Sequence, residues 1–194
     1  ELVEIQADTG NLLSLAFKDL VLSEMRGGKL AQQAAGFKCH PIKALETELS
    51  SWNGNHDSSS TMATLMAEWL SRYEQLLWQD RLGKSFESYW PNRWRLLEIS
   101  QTPNLWARLW ASPNASLGAN EVQSVGDVLS SSLSMACSSL LESHSQVPSW
   151  ADYQETYVQH SGRIPGLGQR NLQTGGSAES VFANKGGHLS LIHL

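Results

Sequence analysis

No apolar run in the 194-residue chain approaches a membrane span, which takes about 20 consecutive apolar residues. The opening stretch "ELVEIQADTG" lacks the basic start and apolar middle of a secretory leader. Positive charge is sparse: 14 Lys and Arg stand against 19 Asp and Glu, giving a net charge of −5. The basic residues are scattered, apart from Arg93 and Arg95, which excludes the clustered cationic surface that a nucleic acid requires. There are 2 cysteines, Cys39 and Cys137, and they form no CxxC, which argues against a zinc site built on them. They read as two free thiols, with a disulfide as the alternative. No GxSxG elbow occurs, and the Gly-rich stretch "GLGQRNLQTGG" has neither the Lys-Ser/Thr of a P-loop nor a GxGxxG. Charged residues make up 17% of the chain and hydrophobic ones 41%, a balance that fits one domain with a real core rather than a disordered tail or coiled coil.

What is abundant is tryptophan, with 8 residues, and the expected use is buried aromatic area. The apolar spacing predicts mostly helices. Residues 9–25 form one that is apolar on more than one side, capped by Asp8 or Thr9 and stopped by Gly27 and Gly28. Residues 40–52 form a second, with Ile42, Leu45, Leu49 and Trp52 three or four apart. Residues 59–78 carry the clearest pattern, in Met62, Leu65, Met66, Trp69, Tyr73, Leu76 and Leu77. Asp57 or one of Ser58, Ser59 and Ser60 is its N-cap. Residues 84–111 are aromatic and helical in pieces, broken by Pro91 and Pro103, and 112–120 form a loop. A long helix over 120–144 has one apolar face and one serine face, and a short helical piece falls within 148–159. The expected division is a helical layer over 1–160, then a Gly/Pro-rich loop and short strands over 161–194, "AESVFAN" and "HLSLIHL".

Chemistry-bearing side chains are few. His56, Asp57 and Ser58 are the residue types of a hydrolytic triad, but a triad converges from separate elements, and helix capping accounts for Asp57 and the serines. His144 and His160 could shuttle protons or bind metal, but each is read as closing a helix end or sitting in water; His188 and His193 flank the last strand without a carboxylate cluster of ligand spacing, which argues against a metal site there. The residues display no complete active site.

Three stretches in order carry a resemblance. "VEIQADTGNLLSLAFKDLVL" resembles the Q-x-D-T segment that opens a helix in the large subunit of penicillin acylases, the penicillin amidase family of N-terminal nucleophile hydrolases; Gln6, Asp8 and Thr9 match. "LETELSSWNGNHDSSSTMATLMAEW" is similar to that family's L-x-x-W-[ND]-G segment, its acidic-serine stretch and the helix ending in Trp; Leu49, Trp52, Asn53, Gly54, Asp57, Ser58 and Trp69 match. "YVQHSGRIPGLGQRNLQTGGSAESVFAN" resembles the family's His-containing turn and the loop ending in Gly-Gly before a strand; His160, Leu167, Gly175, Gly176, Val181 and Ala183 match. Between them, 84–148 agrees only in helical character.

The resemblance implies a part of a four-layer αββα fold, mainly α here with short C-terminal strands, and amide hydrolysis by the parent. In the family an N-terminal Ser of the large subunit attacks the amide, its own α-amino group acts as base, and a backbone amide with an Asn forms the oxyanion hole. Those groups and the family's calcium ligands lie before the Q-x-D-T segment, which begins here at residue 3, and Glu1 is no nucleophile. The expectation is an internal segment from the C-terminal half of the large subunit, with no catalytic residue and no cofactor of its own. Its partners are the small subunit and the rest of the large one, and its setting is periplasmic or extracellular. The rival expectation is a self-sufficient helical binding or scaffold domain presenting the Trp-rich segment 89–110.

Overall fold

The structure is a computed structural model that describes residues 5, 7–28, 30, 37–82, 92–111, 124–154, 156, 164 and 168–181. The described elements are helices: α1 (Leu12–Gly27), α2 (Ile42–Ser51), α3 (Thr61–Leu82), α4 (Arg93–Gln101), a 3-10 turn (Pro103–Trp106), α5 (Ala107–Ala111), α6 (Val125–Ser143) and α7 (Trp150–Tyr153). Among the described residues there are no strands; isolated antiparallel bridges join Gly10 to Asn55 and Phe37 to His40. No described helix is long and apolar enough to cross a membrane.

The centre of the molecule is the pairing of α3 with α6. Both helices present apolar side chains every three or four residues, so packing removes two continuous stripes from water. Trp69, Tyr73 and Leu77 of α3 meet Leu129, Leu133 and Ala136 of α6 in one buried cluster. Phe17 of α1 enters the same cluster edge-on to Trp69, with ring centroids 5.7 Å apart. The polar tips of these aromatics are satisfied inside: Trp69 Nε1 donates to Ser132 Oγ at 2.8 Å, and the Tyr73 hydroxyl pairs with Ser100 Oγ at 2.7 Å. The small serines of α6 therefore do more than permit close approach, because Ser132 supplies the acceptor that makes burial of the indole N–H tolerable.

The expected tryptophan burial holds for Trp52, Trp69, Trp78, Trp110 and Trp150. Trp106 is half-buried beneath Arg95, whose guanidinium sits 4.6 Å from the ring centroid, and Trp94 is 53% exposed. Trp90 and the rest of 83–91 fall outside the described residues.

Several expectations need correction. The cap of α1 is Asn11, whose Oδ1 accepts from Ser14 N at 2.9 Å; Asp8 and Thr9 are drawn into other bonds because the Gly10–Asn55 bridge holds this stretch extended. For α3 the structure selects among the expected candidates: Ser60 closes the first turn, its Oγ accepting from Ala63 N at 3.1 Å. The part of "AESVFAN" that is described, 178–181, is a turn followed by bends rather than a strand, because Ser180 Oγ captures the Ser177 N–H at 2.6 Å and folds the chain back on itself. "HLSLIHL" and the loop 112–120 lie outside the described residues. Finally, Cys39 and Cys137 are not free: they form a disulfide across 98 positions, tying the turn before α2 to the middle of α6. Sequence spacing carries no information on whether two cysteines 98 apart are brought together.

Candidate functional site

Most of the matched motif residues converge, and they do so through backbone. The turn at 54–58 lies between the entry to α1 and the returning segment 175–177. On one side Asn11 N–H donates to the Gly54 carbonyl (3.1 Å) and His56 N–H donates to the Thr9 carbonyl (3.0 Å). On the other, Gly176 N–H donates to the His56 carbonyl (2.7 Å). Ala151 N–H of α7 donates to the Ser58 carbonyl (2.9 Å), and Trp150 Nε1 donates to the Gly176 carbonyl (2.7 Å). Three stretches far apart in sequence are thereby clasped around His56, and buried backbone groups that would otherwise be orphaned find partners.

The glycines are what permit this approach. Gly54 has φ +82°, and a Cβ there would stand 2.4 Å from Leu15 Cγ. Gly175 lies so close that a Cβ would come within 2.8 Å of the His56 carbonyl oxygen. Asp8 Oδ1 accepts from Gly10 N (2.8 Å), and Thr9 Oγ1 donates to Asp57 Oδ1 (2.7 Å), closing the outer rim. Trp52 ends α2, donates its indole N–H to the Asn55 carbonyl (3.1 Å), and lies 5.9 Å from the His56 ring. Trp69 is not part of the clasp; it belongs to the core between α3 and α6. Gln6 and His160 lie outside the described residues.

His56 is 1% exposed and packs edge-on to Trp150, with ring centroids 4.5 Å apart. Its Nδ1 donates to the Gly54 carbonyl at 3.3 Å, because a carbonyl can only accept. Burial pushes the imidazole below its ordinary pKa, against the opposing pull of the Gly54 bond and of the Glu179 and Asp57 carboxylates. The ring is therefore neutral at pH 7. His56, Asp57 and Ser58 do not form a relay: Asp57 is an exposed partner of Thr9, and the described bond of Ser58 is made by its carbonyl.

Beside the clasp is an open cleft of about 490 Å³, bordered by Asn11, His56, Arg93, Trp150, Tyr153 and Glu179 among others. Its charged groups are paired. Arg93 binds the buried Glu74 through two nitrogens (2.9 and 3.1 Å) and reaches Glu179 at 2.7 Å. Burial would make the guanidinium easier to deprotonate, but Glu74 and Glu179 outweigh it and hold the proton more firmly than usual. Tyr153 donates its hydroxyl to Glu68 at 2.8 Å. Burial raises the Glu68 carboxyl, yet the bonds from Tyr153, Ser139 and Arg72 prevail and keep it below its ordinary value. Among the described residues, no cluster of three or more His, Cys, Asp or Glu could hold a metal ion.

Sequence inspection did not single out Asn11, Glu74 or Ser177. Asn11 had a legible signal, since Asn directly before an apolar helical run is a strong N-cap. Its second role, donating Nδ2 to Ser177 Oγ at 3.0 Å across 166 positions, had none. His144 closes α6 with its backbone N–H on the Leu140 carbonyl and is exposed.

No curated protein sequence matches the chain. The profile of the family described as penicillin amidase matches residues 1–190. That span takes in all three sides of the clasp, and the chain belongs to the penicillin amidase family.

Proposed function

We propose that this chain is a helical-layer segment of the large subunit of an amidohydrolase that cleaves N-acyl substrates of β-lactam or acyl-homoserine lactone type. It contributes scaffold rather than the nucleophile. Family membership supports the role in amide hydrolysis. The observation that carries the scaffold assignment is the clasp, where the bonds of the motif residues are structural. His56 Nδ1 is held by Gly54, Asp57 is held by Thr9, and the Ser58 carbonyl is held by Ala151. In this reading the nucleophilic serine, its oxyanion donors and any calcium ligands belong to other parts of the parent, and the α helices form one outer layer of an αββα arrangement. The partners are then the small subunit and the remainder of the large one. A periplasmic or extracellular setting is supported by the Cys39–Cys137 disulfide, since such bonds persist in oxidising compartments.

The test is hydrolysis of a chromogenic N-acyl amide by the purified 194-residue chain. No turnover above the uncatalysed rate is expected. Turnover that survives repurification and disappears on replacing one serine of this chain would overturn the scaffold assignment.

One observation favours the rival reading of a self-sufficient scaffold domain: Trp94 and Leu105, 53% and 81% exposed, lie within the described part of the Trp-rich segment. A soluble monomer with a cooperative unfolding transition would support it, whereas association through exposed apolar surface supports the segment reading.

A further inference from the structure

Asn53–Gly54, at the edge of the clasp, is the one place in the sequence where an asparagine precedes a glycine. Such a pair can react with itself, because no side chain on the second residue shields its backbone nitrogen from the carboxamide of the first. The fold brings the two groups together. Asn53 is exposed just after α2, so water reaches its carboxamide. Its Oδ1 accepts from Asn55 N–H at 3.0 Å, which folds the carboxamide back over the Gly54 peptide unit. The same N–H is placed to stabilise negative charge on Oδ1 when Cγ is attacked, as the donors of an oxyanion hole do.

We propose that Asn53 is a spontaneous deamidation site whose isoaspartyl product opens the clasp. Gly54 N gives its proton to water and attacks Asn53 Cγ; the Cγ–Nδ2 bond breaks, Nδ2 leaves as ammonia, and a cyclic succinimide remains. Water then cleaves the ring at one of its carbonyls. Cleavage at Cγ leaves aspartate, and cleavage at the backbone carbonyl leaves isoaspartate, in which the main chain runs through Cβ and Cγ. The net exchange is water for ammonia. The two products differ for the fold. Aspartate keeps an Oδ1 acceptor for Asn55 N–H. Isoaspartate lengthens the main chain by one carbon in a stretch pinned to α1 and its cap on both sides: Lys18 Nζ holds the Trp52 carbonyl, and Asn11 N–H holds the Gly54 carbonyl. The extra carbon drives the Gly54 carbonyl out of register with Asn11 N–H and His56 Nδ1, and Leu15, packed against Gly54, blocks retreat on that side. The site is independent of the scaffold assignment above, because its chemistry needs only this chain and water.

The experiment ages the folded 194-residue chain in mildly alkaline buffer. Peptide mass spectrometry locates the converted asparagines, and enzymatic methylation counts isoaspartate. A synthetic peptide, "SSWNGNHDS", aged in parallel gives the rate without the fold. Asn53 is expected to convert about tenfold faster than any other asparagine of the folded chain, and at least as fast as in the peptide. Molecules carrying isoaspartate should unfold at lower urea than the fresh chain. Freshly purified Asn53→Asp has the new charge with a normal main chain and should keep the wild-type midpoint. Asn53→Ser should show no fall of the midpoint on ageing. An Asn53 carboxamide that stays intact while other asparagines convert, conversion slower in the folded chain than in the peptide, or a fresh Asn53→Asp midpoint as low as that of the isoaspartyl chain would each overturn the proposal.

Discussion

Trp69 and His56 are both almost wholly inside the molecule, at 0% and 1% exposure, yet their surroundings are built on different principles. Around Trp69 the contacts are between side chains: Phe17, Tyr73 and the apolar face of α6, with one serine placed to take the indole N–H. Around His56 the contacts are largely backbone to backbone, and they depend on what glycine lacks. The core is held by volume, so it responds to how much side chain is present. The clasp is held by close approach, so it responds to how much side chain is absent. This is why the core is written in the sequence as periodicity and the clasp as isolated Gly, Asn and Trp.

The contrast can be broken most severely from the core side. Trp69→Ala should cost about 4 kcal/mol of unfolding free energy, since it leaves a large cavity and removes the indole donor to Ser132 Oγ; the shift of a urea transition measures it. From the clasp side, the smallest possible enlargement should suffice. Gly54→Ala adds a single methyl at φ +82°, against Leu15, and should cost about 2–3 kcal/mol in the same assay. An equal loss from Gly27→Ala, where a Cβ meets nothing within 4 Å, would remove the special status of the clasp glycine.

The finest distinction is in pH. The His56 pKa is depressed in the folded state by burial, so the unfolded chain binds the proton more readily. Stability from the neutral ring is then complete above the unfolded value of 6.5 and is lost as pH falls from there toward the folded value. The urea midpoint of the wild type should therefore drop below pH 6.5 more steeply than that of His56→Gln, while Trp69→Ala should retain the wild-type slope. Parallel pH profiles for wild type and His56→Gln would show that the clasp does not sense this proton.

Helix existence was largely legible because it rests on spacing. Met62, Leu65, Met66, Trp69 and Tyr73 lie on one face by their order alone, and all are buried. The caps were less legible, because Asp8, Thr9, Asp57 and Ser58 are all chemically able to cap and only their tertiary partners decide which do. Thr9 binds Asp57 across 48 positions, and each is thereby removed from the local role that its type suggests. The stretch 178–181 illustrates the same limit: the strand expected there gives way to a turn in which Ser180 bonds back to Ser177. The candidate cleft was illegible for a related reason. Arg93, Glu74, Glu179 and His56 come from four separate places in the chain, and no periodicity links them.

The Cys39–Cys137 bond has a consequence for how damage to this protein would be seen. It closes a covalent ring that contains α2, α3, α4, α5 and α6 as far as Cys137. One proteolytic cut anywhere between the two cysteines opens that ring without releasing a fragment. On a denaturing gel run without reductant such a nicked chain keeps its full mass, and it separates into two pieces only when a thiol is added. The bond thus conceals scission between α2 and the middle of α6 while leaving cuts in α1, α7 and the stretches outside the ring visible.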